Sequence, residues 1–211
     1  VACETGNVDI VQLLLVKKEI QINQATKDGT TPLFTASEYD HVDIVQLLLA
    51  KKEIQINQAR KDGATPLFIA CQQHYVGIVQ LLLTRKDLNI EQMTEYGATP
   101  LFVASQEGHV DVVQALLSRN GLNIDIDVQG LTPLKVAEHN NHTEIVSLLH
   151  QYSMRKGFRI LMKSAIATDD VSNVKTLLDS EMVGVNDVIY RGLTVLMFAC
   201  DKGHVDVVRV L

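Results

Sequence analysis

The sequence predicts an all-α solenoid of about seven stacked two-helix repeats, the first and last truncated. Three observations carry this. The nonapeptide Lys17–Ala25 (KKEIQINQA) returns unchanged at Lys51–Ala59, 34 residues on. Gly29, Gly63 and Gly97 are again 34 apart, and Gly130 follows after 33. Thr-Pro-Leu recurs at Thr31, Thr65, Thr99 and Thr132 and takes all four prolines of the chain. Self-similarity at a period of roughly 20 to 50 residues marks stacked repeats, in which each repeat buries its apolar faces only against its neighbours.

Each element of a repeat has a local cause. Thr31 suits an N-cap, because its hydroxyl can accept a free N–H of the first turn. Pro32 takes the first helical position, where a missing N–H costs nothing and φ is preset. The short first helix runs through Leu33, Phe34, Ala36 and Ser37 and breaks near Tyr39-Asp40. The small Ala36, repeated as Ala70, Ala104, Ala137 and Ala199, admits close approach of neighbouring helices. A second helix starts at His41-Val42-Asp43, and Val42, Ile44, Val45, Leu47, Leu48 and Leu49 give it a broad apolar face. Ile54-Gln55-Ile56-Asn57 then leads outward, and Asp62-Gly63 supplies the tight turn before the next helix.

On this register residues 1–24 are a partial repeat beginning inside its first helix. Full repeats follow at about 25–58, 59–92, 93–125 and 126–156, so that 1–156 forms one array. Residues 157–211 continue it as an irregular repeat, 157–187, and a truncated one, 188–211. Ala165 follows Ala137 by 28 residues, about six short, and Ile160-Leu161-Met162 replaces Thr-Pro-Leu with no Asp-Gly turn before it. Gln151–Gly157 leaves no room for a projecting turn. A continuous stack with one turn missing and a second array starting near Phe158 both match this pattern, and the continuous stack is preferred.

Composition excludes several functions. Hydrophobic residues make up 46% of the 211, which rules out wholesale disorder, while 21% charged residues give an ordinary surface. Aromatic residues are only 5%, with no Trp, which argues against an aromatic-lined sugar or nucleic-acid platform. A net charge of −6 has the wrong sign for a polyanion binder, so no nucleic-acid partner is expected. No apolar run is long enough for direct membrane insertion. Three sparse cysteines without a CxxC pair suit a reduced intracellular setting, most simply cytoplasmic. The chain opens Val1-Ala2-Cys3 without Met and closes at Arg209-Val210-Leu211 in a helical pattern, which reads as a fragment of a larger protein.

Gly63-Ala64-Thr65-Pro66-Leu67-Phe68-Ile69-Ala70 and Gly108-His109-Val110-Asp111-Val112-Val113-Gln114-Ala115-Leu116-Leu117 resemble the two signature halves of the ankyrin repeat. The likeness covers nearly the whole chain. It implies an ankyrin-repeat α-solenoid, a right-angled stack of helix pairs with short β-hairpin fingers projecting from one side. Where the family pattern has His after Thr-Pro-Leu, this chain has Phe34, Phe68, Phe102 and Lys135. Where it usually has Gly before the second helix, this chain departs at Asp40 and His74.

The reactive residue types have structural explanations. Cys3, Cys71 and Cys200 follow the small Ala of the first helix, where Ser37 and Ser105 are the equivalents, so they are expected to be small buried packing residues. His41, His109, His142 and His204 share one position at the start of the second helix and are expected to hydrogen-bond between loops of adjacent repeats. His139 and His142 are three apart, but the helix break falls between them, and no metal is expected. Asp28-Gly29 and Asp62-Gly63 are lone turns rather than calcium loops. No phosphate loop and no local Ser/His/Asp set occurs, so catalytic residues and cofactors are expected to be none and the chain is read as a non-enzyme. The family resemblance also marks Asn23, Asn57 and Asn186 as positions open to hydroxylation; hydrogen bonding within the hairpin is the preferred reading.

Positions that repeat are explained by stacking, which leaves the varying ones for recognition. By resemblance, partners dock on the finger tips and the exposed side of the first helix, a concave strip. Here those positions are Lys27, Asp28, Thr30, Glu38 and Tyr39, then Lys61, Asp62, Ala64, Gln72 and Gln73. Glu95, Tyr96, Ala98, Gln106 and Glu107 come next, followed by Val128, Gln129, Leu131, Glu138 and His139. Tyr39 and Tyr96 are the expected anchors, since tyrosine offers large contact area and a polar tip at low entropic cost. Lys27 and Lys61 face six carboxylates in this set, which predicts a mild preference for a basic or neutral protein surface. The expected function is that of a protein-binding scaffold, monomeric as a full-length array. Its main competitor is a targeting or regulatory segment of a larger enzyme or effector, and a purely structural spacer ranks third.

Overall fold

The computed structural model describes residues 1–17, 19–119 and 121–211. Lys18, part of the recurring nonapeptide, and Asn120 lie outside the described residues. The chain divides into two compact units, Val1–Ser147 and Leu148–Leu211.

The first unit opens with turns over residues 2–6, where Thr5 N–H reaches the Val1 carbonyl at 2.9 Å. A single turn lacks the hydrogen-bonded neighbours that sustain a helix. Helix α1 (Val8–Leu15) follows, then the pairs α2 (Pro32–Glu38) and α3 (Val42–Leu49), α4 (Pro66–Gln72) and α5 (Val76–Leu83), and α6 (Pro100–Glu107) and α7 (Val110–Leu117). Helix α8 (Pro133–His139) and the start of α9 (Thr143–Ala167) complete it. Each Thr-Pro-Leu helix begins as its sequence dictates: Thr31, Thr65 and Thr99 accept the N–H three residues ahead at 3.1 Å, and Thr132 accepts that of Lys135 at 3.3 Å. The break after each first helix is a left-handed residue, at Asp40, His74, Gly108 and Asn141. Asp40, His74 and Asn141 therefore take the same backbone conformation as Gly108, and Asn, Asp and His are the non-glycine residues most enriched in it.

First helices pack on first helices, α2 on α4, α4 on α6 and α6 on α8, while α1, α3, α5 and α7 form a second layer. Ala36, Ala70, Ala104 and Ala137 are fully buried where these helices meet. The buried face of the second helices is narrower than their apolar content suggests. In α3 it is Ile44, Val45 and Leu48, while Leu47 and Leu49 are half-buried and Val42 is exposed. A helix seated between two neighbours in its own layer and one in the other covers a stripe, not its whole circumference.

The fingers of the first unit are short. Thr26 N–H to Thr30 O (3.0 Å), Arg60 to Ala64 (2.8 Å) and Thr94 to Ala98 (3.0 Å) each close one five-residue loop. A bridge joins Val128 and Leu131. The loops also bond to one another: Lys61 N–H donates to Asp28 O and Glu95 N–H to Asp62 O, both at 2.8 Å. Gly63 permits this closeness. Its φ is +82°, and a Cβ there would sit 2.7 Å from Thr94 Cα.

The second unit holds the remainder of α9, then α10 (Val171–Asp179), the antiparallel pair β1 (Val188–Tyr190) and β2 (Leu193–Thr194), α11 (Val195–Lys202) and α12 (Val205–Val210). Helix α9 runs without interruption through Gln151–Gly157, where no finger is formed. That stretch has no proline, so every residue can donate its backbone N–H and the helix continues. The core of this unit is Met162, Ala165, Ile166, Val174, Leu177, Val183, Val195, Phe198, Ala199 and Val207. Thr194 caps α11 by accepting Met197 N–H at 3.3 Å, as Thr31 caps α2.

The cysteines divide. Cys71 is fully buried in α4, between α2 and α6, and burial pushes its thiol pKa well up. Cys3 is half-buried, and burial raises its pKa too. Cys200 is exposed, contrary to expectation. Among the described residues no further first helix lies on that side of α11, so the position that is sandwiched at Cys71 is open at Cys200.

Candidate functional site

The face of interest in the first unit is built from the finger loops and the C-terminal ends of α2, α4, α6 and α8. Three sets of hydrogen bonds position it. On the finger side, Asn23 donates from Nδ2 to Glu53 O (2.8 Å) and accepts Gln55 N–H (2.9 Å). Asn57 does the same with Asp87 O and Asn89 N–H, both at 2.7 Å. These asparagines therefore reach the next repeat rather than bonding within their own hairpin as expected. The outward segments run side by side, and the neighbouring main chain offers a donor and an acceptor at the right spacing. Asn186 is exposed.

At the helix breaks, the ring Nε2 of His41 donates to Glu4 O (2.9 Å), that of His109 to Gln72 O (3.1 Å) and that of His142 to Gln106 O (3.0 Å). These are the inter-repeat bonds expected from their shared position. His204, in the second unit, instead places Nδ1 3.5 Å from the Asp169 carboxylate. His74 stands where Gly108 stands one repeat later. Its Nε2 meets Asp111 Oδ1 at 2.6 Å, and its ring stacks on His109 with centroids 4.3 Å apart. The third set lies at the far ends of the second helices, where Lys51, Arg85 and Arg119 donate to main-chain carbonyls one repeat back.

On this frame the varying side chains are displayed. Lys27, Asp28, Tyr39, Lys61, Gln72, Gln73, Glu95, Tyr96, Gln106, Glu107, Gln129, Glu138 and His139 are exposed, and Thr30, Glu38 and Asp62 are half-buried. Tyr39 is 49% and Tyr96 73% exposed. Ala64 and Val128 do not belong to the surface: both are buried beneath their loops. Met93, 48% exposed beside the third finger, adds apolar area.

The electrostatics turn on Arg60, which the sequence reading left out. Its Nη2 lies 2.5 Å from Asp62 Oδ2, its Nη1 3.9 Å from Glu38 Oε1, and its guanidinium 5.0 Å from the centre of the Phe34 ring. The hydrogen bond from Arg60 lowers the Asp62 pKa. Asp28 is held at about 2 by hydroxyl donors, Thr26 first and then Thr30 (2.8 Å). The carboxylates of the first two fingers are thus charged and already bonded within the protein. Free negative charge on this face concentrates on Glu95, Glu107 and Glu138, none of which has an ion pair among the described residues. Position 60 corresponds to Thr26 and Thr94, and comparing repeats at that register was the signal available for it.

The same register, extended from Ala36–Thr31 to Ala199–Thr194, makes Tyr190-Arg191 the equivalent of Lys27-Asp28 and Lys202 the equivalent of Tyr39. None of the three was among the expected site residues. Among the described residues, no group of three or more His, Cys, Asp or Glu is disposed to hold a metal ion, and no helix is long and apolar enough to cross a membrane.

A model described as ankyrin repeats, three copies, matches residues 1–94, 53–130 and 78–158, and one for a single ankyrin repeat matches 191–211. No match to a curated protein was found. Ankyrin repeats are in general protein–protein interaction modules and typically non-catalytic. Helix pairs capped by Thr-Pro-Leu, left-handed breaks and short bonded fingers, recurring through the matched residues, agree with these matches: the chain belongs to the ankyrin repeat family.

Proposed function

We propose that the first unit is a protein-binding scaffold whose working surface is the finger-and-helix face, anchored by Tyr39 and Tyr96. The observation that carries this reading is the contrast between frame and surface. Main chain and repeated polar side chains are bonded from repeat to repeat, while the displayed side chains change along the stack: Tyr39 gives way to Gln73 and Glu107, Lys27 and Lys61 to Glu95, and Asp28 and Asp62 to Tyr96. A rigid frame limits the ordering cost of association, and exposed tyrosines on it are typical hot-spot residues. Glu95 on the third finger, with Glu107 and Glu138 at the ends of α6 and α8, favours a partner that is basic or neutral there.

Affinity capture tests it, with wild type beside Tyr39→Ala/Tyr96→Ala, both checked for equal folding. A partner lost from the variant, and cross-linked by a photoreactive residue at Gln72 but not at Gln114, supports the face. A partner captured equally by both proteins moves recognition elsewhere and ends this assignment.

A further inference from the structure

We infer that the second unit carries a separate docking site for an acidic, carboxylate-rich segment of a partner protein, built by Lys163, Arg191 and Lys202 around the paired rings of Tyr190 and Phe198. It extends the reading that finger-and-helix faces are where this chain binds, to a unit of different charge. The first unit has 11 Lys and Arg against 18 Asp and Glu, whereas the second has 8 against 7. Between Ile145 and Thr168 there are four cations and no acid.

The geometry places three cations over two aromatic rings. Lys163, on α9, places Nζ 4.0 Å from the centre of the Tyr190 ring, and Arg191 places its guanidinium carbon 5.2 Å from the same centre. Tyr190 packs on Phe198 with ring centres 5.4 Å apart, and Lys202 Nζ lies 5.4 Å from the centre of Phe198. Among the described residues none of these three cations has a carboxylate within 4.0 Å; a fourth, Arg159, is taken by Asp187 at 3.9 Å. Ring faces attract cations and fix their positions, but they leave the mutual repulsion of like charges uncompensated. A carboxylate arriving among them relieves that repulsion without rearranging the site, which is the condition for a preorganised anion subsite.

Three cations on a chain of net charge −6 suit a short carboxylate-rich segment; a phosphodiester backbone draws its affinity from many phosphate neutralisations, which they do not supply.

The test is fluorescence anisotropy on the full chain with a labelled Glu/Leu peptide, its Gln/Leu counterpart and a single-stranded DNA oligonucleotide of equal charge. The Glu/Leu peptide is expected to bind best, more weakly as salt rises, and Lys163→Ala/Arg191→Ala/Lys202→Ala to weaken it by about tenfold or more. Lys175→Ala/Arg209→Ala is expected to leave it unchanged. Should the triple variant unfold, Arg191→Glu at the exposed turn decides in its place and is expected to weaken binding as well. Equal affinity of variant and wild type overturns the site, as does tighter binding of the oligonucleotide than of the peptide. So does sedimentation showing that these cations instead hold a second copy of the chain. The titration reads the second unit alone, so its failure leaves the Tyr39/Tyr96 face standing, and failure of that face leaves this site standing.

Discussion

The guanidinium of Arg85 donates to the carbonyl oxygen of Leu49, the last residue of the second helix one repeat back, at 2.8 Å. Lys51 does the same for Leu15 at 3.1 Å and Arg119 for Leu83 at 2.7 Å. A helix end leaves its last carbonyls without intrahelical partners and carries partial negative charge. A cation 36 residues along satisfies both needs, so each repeat caps the one before it.

Arg85→Met is therefore expected to destabilise the first unit by about 1.5 kcal/mol, the lower end for a hydrogen bond to a charged group, because the side chain is partly exposed. Arg85→Lys, which can still reach as Lys51 does, is expected to recover part of the loss. Urea unfolding followed by circular dichroism measures both, and an unchanged midpoint in Arg85→Met sinks the capping role.

Gly63 and Gly97 separate two kinds of glycine requirement. Their φ values are +82° and +81°, but a Cβ at Gly63 meets Thr94 Cα at 2.7 Å, whereas at Gly97 nothing lies within 4 Å. Gly97→Ala is expected to cost only the left-handed penalty of about 1–2 kcal/mol. Gly63→Ala is expected to cost clearly more, since the clash is with backbone. Equal melting temperatures for the two variants contradict the close approach of the fingers.

Asp28 makes stability depend on acid. Its folded pKa of about 2 lies below the 3.8 of an unperturbed aspartate. A depressed carboxylate stabilises above the unfolded pKa and loses that contribution as pH falls through the folded one. The urea midpoint is thus expected to drop between about pH 4 and pH 2. Asp28→Asn is expected to flatten that part of the profile, and an identical acid limb in both proteins contradicts the assignment.

Thiol chemistry distinguishes the cysteines. With Cys200 exposed and Cys71 buried with a raised pKa, a maleimide is expected to label Cys200 rapidly in the native protein. Cys71 is expected to react only as fast as its repeat opens. Mass spectrometry of timed digests reads the order, and fast native labelling at Cys71 contradicts the packing of α4 between α2 and α6.

Legibility followed the range of the interactions. Thr31, Thr65, Thr99 and Thr132 were readable as caps because a cap joins residues three apart in the chain. The shared position of His41, His109 and His142 was readable because it repeats. The partners of Asn23 and Asn57 were not, since the same side chain can satisfy a hairpin or a neighbour and only the spacing of adjacent strands of main chain decides. Of the expected surface positions, Ala64 and Val128 turned out to be buried, because alternation along a five-residue loop says little about which side meets the next finger. Arg60 escaped notice as a charge that neutralises its own neighbours.

By itself, the sequence determined the period, the caps, the breaks and hence the succession of helix pairs, because each depends on residues within one turn or one repeat of one another. Only the tertiary structure decided which carbonyl Arg85 reaches, which carboxylate Arg60 occupies, and how Lys163, Arg191 and Lys202 come to surround two rings. Those are contacts between residues brought together by stacking, and their energies depend on distance and burial that no local pattern encodes.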